Sequence, residues 1–369
     1  MPVKEIVAPA LVTKGKIMSA TEKTGAHINR RIVVVRNTIF LIFIGMIFLV
    51  LIIAFRLSRR ITGPILALSK GVKVAGRGDL DHRLNVETGD EIEDLANAFN
   101  NMTRDLKVYI KRLTETTAEK ERIEEELRIA HDIQMSIVPK IFPPFPERPE
   151  FDIHAILEPA KEVGGDFYDF FFVDEDRLCF VIGDVSGKGV PASLFMAVTI
   201  TLIKKVAKDA CDPAEVMRKV NEEIAKDNDT PMFVTVFCGF LDIKTGKVTY
   251  CNAGHNKPLV AVQKKEPEFL HGAGGMVIGI IREAEYRSGS LELSKGDTLY
   301  MYTDGVTEAF NSKREQFSDE RLKQNVSFNS ADTSEKLVVD ILKKVRSFAH
   351  KMPQSDDITI MALRYNGRA

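Results

Sequence analysis

Four short stretches set an aspartate at the edge of an apolar run: Gly164-Gly165-Asp166, Gly183-Asp184-Val185-Ser186-Gly187-Lys188-Gly189, Tyr302-Thr303-Asp304-Gly305 and Ser355-Asp356-Asp357-Ile358-Thr359. The runs beside them have the β-branched and aromatic composition of strands. A strand that ends in aspartate and enters a turn too glycine-rich for a helix presents its carboxylate at the rim of a core. Four such carboxylates brought together would repel one another and raise their own pKa values. Hard divalent cations relieve that, and carboxylate and carbonyl oxygens suit Mg²⁺ or Mn²⁺. Two ions about 3.5 to 4 Å apart can polarise a phosphoryl group and make a water acidic enough to attack it near neutral pH. Phosphate monoester hydrolysis, among the slowest uncatalysed reactions, needs both.

The elements that would position these residues are mostly strands. Residues 151–157 alternate as a half-buried strand, and 167–173, 178–185, 233–241, 248–251, 258–262, 298–302 and 358–364 read as others. The turn Asp242-Ile243-Lys244-Thr245-Gly246-Lys247 predicts a hairpin. Residues 191–210 are apolar nearly all round, which predicts a helix sandwiched in the interior. Asp212-Pro213-Ala214-Glu215 is an N-cap, a proline at N1 and a glutamate at N3, opening a helix to about residue 227. A last helix spans 334–348. Strands in runs with a few helices favour an antiparallel α+β domain over 150–369.

The chain of 369 residues has room for more. With 51 basic and 52 acidic residues it has no charge excess to hold nucleic acid. Cys179, Cys211, Cys238 and Cys251 stand singly, which excludes a CxxC zinc site and suggests core thiols in a reducing compartment. Residues 38–55 carry no charge, and about 18 residues make roughly 27 Å of helix, so a transmembrane helix is expected within 32–55. Residues 1–31 read as a flexible tail. Basic residues flank the span evenly, so charge does not orient it.

Beyond the span, Pro64 suits the first turn of a helix and a glycine-rich connector follows over 71–89. Asp90-Glu91 opens a second helix whose Ile92, Leu95, Phe99, Met102, Leu106, Tyr109 and Leu113 alternate spacings of three and four. That is a coiled-coil seam, continued more weakly by Ile123, Leu127, Ala130, Gln134 and Ile137. The helix must stop at Pro139, ahead of Pro143-Pro144-Phe145-Pro146.

Pro64, the connector and Gly89-Asp90-Glu91-Ile92-Glu93-Asp94-Leu95 resemble a HAMP signalling domain over 56–108, with a coiled-coil linker over 109–139. That resemblance implies a parallel homodimer on the cytoplasmic side of a single-pass plasma or inner membrane. The aspartate stretches, with Cys251-Asn252-Ala253-Gly254-His255 between them, resemble in their order the metal-dependent PPM serine/threonine phosphatases, in particular the SpoIIE/RsbU-type branch. The resemblance implies a two-layer antiparallel β-sandwich flanked by helices. By motif position it implies that Asp184 bridges two Mn²⁺ or Mg²⁺ ions and that Val185 offers its carbonyl to one. Asp304 and Asp356 complete the other, and Asp166 holds a water. It also implies a phosphorylated protein substrate, a STAS-domain anti-sigma-factor antagonist.

Two features depart from the family or leave a choice. Ser186 stands where animal relatives carry a histidine, and Asp357 adjoins Asp356, which motif alignment favours as the ligand. His255 reads as a loop-bonding residue before a catalytic one. Gly187-Lys188-Gly189-Val190-Pro191-Ala192 matches a dinucleotide fingerprint, but Asp184 would stand beside the pyrophosphate. The alternative reading is a catalytically silent scaffold of the same fold.

Overall fold

The computed structural model describes residues 4–226, 228–230, 232–262, 265–326 and 333–367. It separates into two compact units, one up to Glu119 and one from Lys120 onward.

The first unit begins with helix α1 (Lys4–Leu57), passes through a π-helical turn, Ser58–Thr62, and continues as α2 (Gly63–Ala75). The expected flexible tail is thus helical from Lys4; its first three residues lie outside the described ones. The physical reason is composition: Ala, Lys, Glu and Met favour helix, and Gly15 and Gly25 cost only about 1 kcal/mol each. The helical stretch is long and apolar enough to cross a membrane. Pro64 falls in the first turn of α2, directly after the π-helical turn.

Helix α3 (Glu91–Ile137) follows the connector. Its start is capped by Asp90 Oδ1, which accepts from Ile92 N at 3.1 Å, while Glu93 Oε2 accepts from Gly89 N at 2.8 Å. The connector is tied to α3 by Asn100, whose amide both donates to Leu84 O and accepts from Leu84 N at 2.9 Å. Leu84, Ala96 and Phe99 form a small core with Leu68, Ala75 and Val86. The rest of the expected seam is different: Leu95, Met102, Leu106, Tyr109 and Leu113 are exposed.

The second unit holds β1 (Phe151–Glu158), β2 (Phe167–Phe172), β3 (Arg177–Val185), α4 (Val190–Ala207), α5 (Pro213–Lys226), β4 (Val234–Asp242), β5 (Lys247–Ala253) and β6 (Leu259–Ala261). There follow the short β7 (Glu268–Phe269), β8 (Gly274–Gly275) and β9 (Gly289–Glu292), then β10 (Thr298–Tyr302), α6 (Asp304–Thr307), α7 (Ser318–Asn325), α8 (Ser334–Ala349) and β11 (Ile358–Tyr365). One sheet runs β1-β11-β10-β6-β7 and the other β2-β3-β4-β5-β8, with β9 beside β5. All pairings are antiparallel except β5 with β8. Helices α4 and α5 pack on the second sheet and α8 on the first, so the expected α+β sandwich is present.

Three details correct the sequence reading. Helix α4 is not sandwiched: it turns Met196, Ile200 and Ile203 into the core but leaves Val190, Leu194 and Val198 exposed. Cys211 is exposed, whereas Cys179, Cys238 and Cys251 are core thiols. Strands β7 to β9 and helices α6 and α7 escape periodicity because they are too short to repeat a pattern.

Candidate metal centre

Antiparallel pairing brings the four aspartates to one end of the sandwich. Phe167 pairs with Gly183, so Asp166, just before β2, and Asp184, near the end of β3, lie opposite each other. Tyr302 pairs with Ile360, so Asp304, just after β10, and Asp356, just before β11, share the same end of the other sheet. Asp166 joins the two sheets: its Oδ2 accepts from Thr303 Oγ1 and Thr359 Oγ1, each at 2.7 Å.

After Asp184 the chain turns sharply into α4. Gly187 and Gly189 have φ of 90° and 80°, a backbone region that other residues rarely adopt. Between them Lys188 reaches across, its Nζ 2.7 Å from Asp356 Oδ2 and 2.7 Å from Ser355 O. Asp356 is thus drawn toward the lysine, and among the described residues no three acidic, histidine or cysteine side chains are closed up as a ready-made metal cluster.

Electrostatics nevertheless mark the four as one site. Burial pushes the Asp184 carboxyl up to about 7, and the charges of Asp304 and Asp356 push the same way. Burial raises Asp304 too, followed by the charge of Asp356. Asp166 is buried and sits well above the usual carboxylate range, because burial and the charges of Asp184 and Asp357 outweigh its two threonine donors. Burial alone would lower the Lys188 ammonium, but its bond and attraction to Asp356 leave it raised.

This donor set fits hard divalent cations. It is all oxygen, it is crowded with like charge, and the Val185 carbonyl lies so near Gly165 that an added Cβ there would stand 2.8 Å from it. Asp184, Asp304 and Asp356 would hold the ions with the Val185 carbonyl, and Asp166 would hold a water on them.

The adjoining aspartates differ in their bonds. Asp357 is buried and spends both oxygens on main chain: Oδ1 accepts from Ala160 N at 2.7 Å and Oδ2 from Gly165 N at 2.8 Å. Asp356 is half-exposed, its Oδ2 on Lys188 Nζ at 2.7 Å and its Oδ1 accepting from Asp357 N at 2.9 Å. Ser186, the departure from animal relatives, accepts from Phe233 N at 2.9 Å through Oγ, so its hydroxyl oxygen is engaged by the segment that leads into β4. His255 is buried, exchanges bonds with Asn252 and meets Thr235 Oγ1 at 2.9 Å through Nδ1; burial depresses its pKa to about 4. It is a neutral loop residue, as its surroundings in the sequence imply.

Sequence reasoning missed the partners of Asp166 and the role of Asp357. Thr303 and Thr359 lie inside motifs already singled out, so hydroxyls flanking the aspartates were the available signal. Spacing puts Gln134 in the coiled-coil seam, yet its side chain is buried against Gly164. Nothing local in the sequence distinguishes it.

Sandwich topology and aspartate positions together define a PP2C-type phosphatase domain. The profile of the family described as Stage II sporulation protein E (SpoIIE) matches residues 174–366, and that of the HAMP domain matches residues 56–107. The chain belongs to the SpoIIE family. It is 31% identical to protein IcfG of Synechocystis sp. over 336 residues, covering 83% of this chain and 51% of that one. It is 30% identical to the phosphoserine phosphatase RsbU of Bacillus subtilis over 247 residues, 66% of this chain and 71% of that one. The chain thus spans about half the length of the first of these relatives. Among solved structures, the SiaA-PP2C domain of Pseudomonas aeruginosa matches 67% of this chain and 99% of that domain with a TM-score of 0.60 at 21% identity, a likeness of fold.

Proposed function

We infer that the chain is a membrane-anchored, metal-dependent protein serine/threonine phosphatase whose output is regulated through its HAMP domain. The carrying observation is the set of four aspartates at one end of the sandwich, with Asp184 raised to about 7 by burial and by its acidic neighbours. Two Mn²⁺ or Mg²⁺ ions would supply the electrophile and the acidified water that phosphate ester hydrolysis requires. Asp184, Asp304, Asp356 and the Val185 carbonyl would hold them, Asp166 would hold a water of theirs, and Lys188 brings a positive charge to the rim where a phosphate dianion would enter. Thr303 and Thr359 keep Asp166 oriented.

The substrate in this reading is a phosphoserine or phosphothreonine on a STAS-domain anti-sigma-factor antagonist, supported by kinship with a relative named phosphoserine phosphatase. The protein is a homodimer through HAMP and the coiled coil. A single span in the plasma or inner membrane leaves HAMP and phosphatase cytoplasmic. Support for the span is the helix through residues 38–55, and for the dimer the exposed seam on α3.

The test is hydrolysis of a phosphoserine peptide by the full chain in detergent micelles, with Mn²⁺ and with EDTA, beside Asp184→Asn. Manganese-dependent turnover that the variant loses is expected. Turnover indifferent to both changes would overturn the metal mechanism, and none under any metal would favour the silent scaffold.

A further inference from the structure

The last two turns of α3 are stitched to the loop that carries Asp166. Gln134 makes a two-way bond with a single residue: its Nε2 donates to Gly164 O at 2.8 Å and its Oε1 accepts from Gly164 N at 3.1 Å. One turn earlier His131 Nδ1 lies 2.7 Å from Glu162 O. One turn later Val138 is buried in the main core, and Pro139 O accepts from Tyr168 Oη at 2.6 Å. His131 and Gln134 lie on one face of the helix, Val138 and Pro139 follow just past its end, and the bonds of His131, Gln134 and Pro139 all run to the segment 162–168.

On its other side the same loop touches the metal centre twice. Gly165 packs so tightly on the Val185 carbonyl that a Cβ would stand 2.8 Å from it, and Asp166 is the next residue. Asp357 Oδ2 holds the Gly165 amide at 2.8 Å, and a Cβ on Gly164 would come within 2.0 Å of that oxygen. The loop has no slack, so displacement of the Gly164 backbone is transmitted to Asp166 and to the Val185 carbonyl.

The geometry points to Gln134 as a positioning residue that fixes the Asp166 loop to the end of α3 and thereby sets the affinity of the site for its divalent cation. This deepens the metallophosphatase reading and rests on it. A buried amide is suited to the task because it supplies one donor and one acceptor in a plane, as a neighbouring strand would, and leaves Gly164 no unpaired group. A helix that shifts or rotates therefore breaks both bonds together.

The experiment is Mn²⁺ binding to the full chain in detergent, followed by titration calorimetry and by the paramagnetic signal of free Mn²⁺, for wild type, Gln134→Met, Val138→Ala and Asp184→Asn. Gln134→Met keeps the length and loses the amide, and its Mn²⁺ dissociation constant is expected to rise about tenfold, the scale of two modest hydrogen bonds. Its kcat at saturating Mn²⁺ should stay within about twofold of wild type, because no reacting group is removed. Val138→Ala loses packing at the same helix end and should lower the melting temperature with Mn²⁺ affinity unchanged. A Gln134→Met protein with a lowered melting temperature and wild-type Mn²⁺ affinity would reduce the residue to a brace and overturn the proposal.

Reciprocity gives a second test that needs no variant at this position. If Gln134 couples loop and helix, Mn²⁺ must slow amide exchange over residues 131–139 of the wild type, and unchanged exchange overturns the proposal even if Gln134→Met fails to fold. Asp184→Asn separates the two readings. Wild-type Mn²⁺ binding in that variant would sink the metal centre itself, whereas loss of binding there with no effect of Gln134→Met would sink the coupling alone.

Discussion

The two units of this chain differ in where their apolar surface goes. From Lys120 onward, Phe167, Phe180, Phe237, Ile182 and Leu241 are fully buried by the chain's own sheets and helices. Before it, among the described residues, Leu84, Ala96 and Phe99 make a small apolar core, while Leu95, Met102, Leu106, Tyr109 and Leu113 stay in the open at spacings of three and four. An apolar stripe that regular is costly in water, at about 25 cal/mol for each Å² left exposed. The difference teaches which part the chain completes by itself and which part leaves an apolar stripe uncovered, the stripe that the proposed dimer would close.

The comparison would break if the phosphatase unit could not stand alone. Residues 120–369 should fold cooperatively without the membrane helix and turn over a phosphoserine peptide in Mn²⁺. A fragment begun at residue 140 should do worse, because it discards Gln134, Val138 and the Pro139 carbonyl. Within that unit Asp356→Asn should cost turnover on the order of 10³-fold, since a ligand to a charge-stabilising cation is worth several kcal/mol in the transition state. Asp357→Asn should instead lower stability by about 1 to 3 kcal/mol, because its new amide would face the donors of Ala160 and Gly165. Steady-state kinetics and urea melts of the two variants check this, and equal kinetic losses would show that the adjoining aspartates are not divided between ligand and cap.

The exposed seam is the next to be tested. Wild type from Arg56 onward should sediment as a dimer at micromolar concentration, and Leu106→Lys should weaken that dimer by about 100-fold or more, since each copy loses a buried leucine worth roughly 1.5 to 3 kcal/mol. Residues 120–369 should be monomeric under the same conditions. A monomeric fragment from Arg56 would mean that the stripe is not written for a second copy.

What the sequence made legible follows the same division. The aspartates could be ordered and given an end of a strand because turn glycines and strand composition are local signals, and the helix of residues 334–348 was read within one residue for the same reason. The seam was legible as a period but not as a state: Phe99, at one of its positions, closes on Leu84 instead. Gln134 was placed in that seam by spacing alone, and only the distant Gly164 backbone claims it. Helix α4 misled because apolar content does not say which face will be covered. Asp357 and Asp356 are identical neighbours in sequence, and only contacts with residues almost 200 positions away give Asp357 surroundings of its own.

The smallest effect is a pH dependence in which the two chemistries of the closed unit oppose each other. His255 has its folded pKa depressed by burial from 6.5 to about 4. The unfolded chain takes up a proton that the native histidine refuses, so this contribution is whole above pH 6.5 and is lost as pH falls toward 4. Asp184 has its folded pKa raised from 3.8 to about 7. Native protein holds that proton longer than the unfolded chain does, so this contribution is present below 3.8 and is lost as pH rises through 7. In EDTA, Asp184→Asn should therefore stabilise residues 120–369 by about 2 kcal/mol at pH 7.5, after allowance for solvent screening, and by almost nothing at pH 4. His255→Gln should flatten the acid limb instead. Added Mn²⁺ should raise the melting temperature more at pH 7.5 than at pH 5, since its ligands bind it only when ionised. Urea titrations at three pH values with and without Mn²⁺ read all of this. A metal effect larger at pH 5 would mean that the raised aspartates are not the groups that receive the cation.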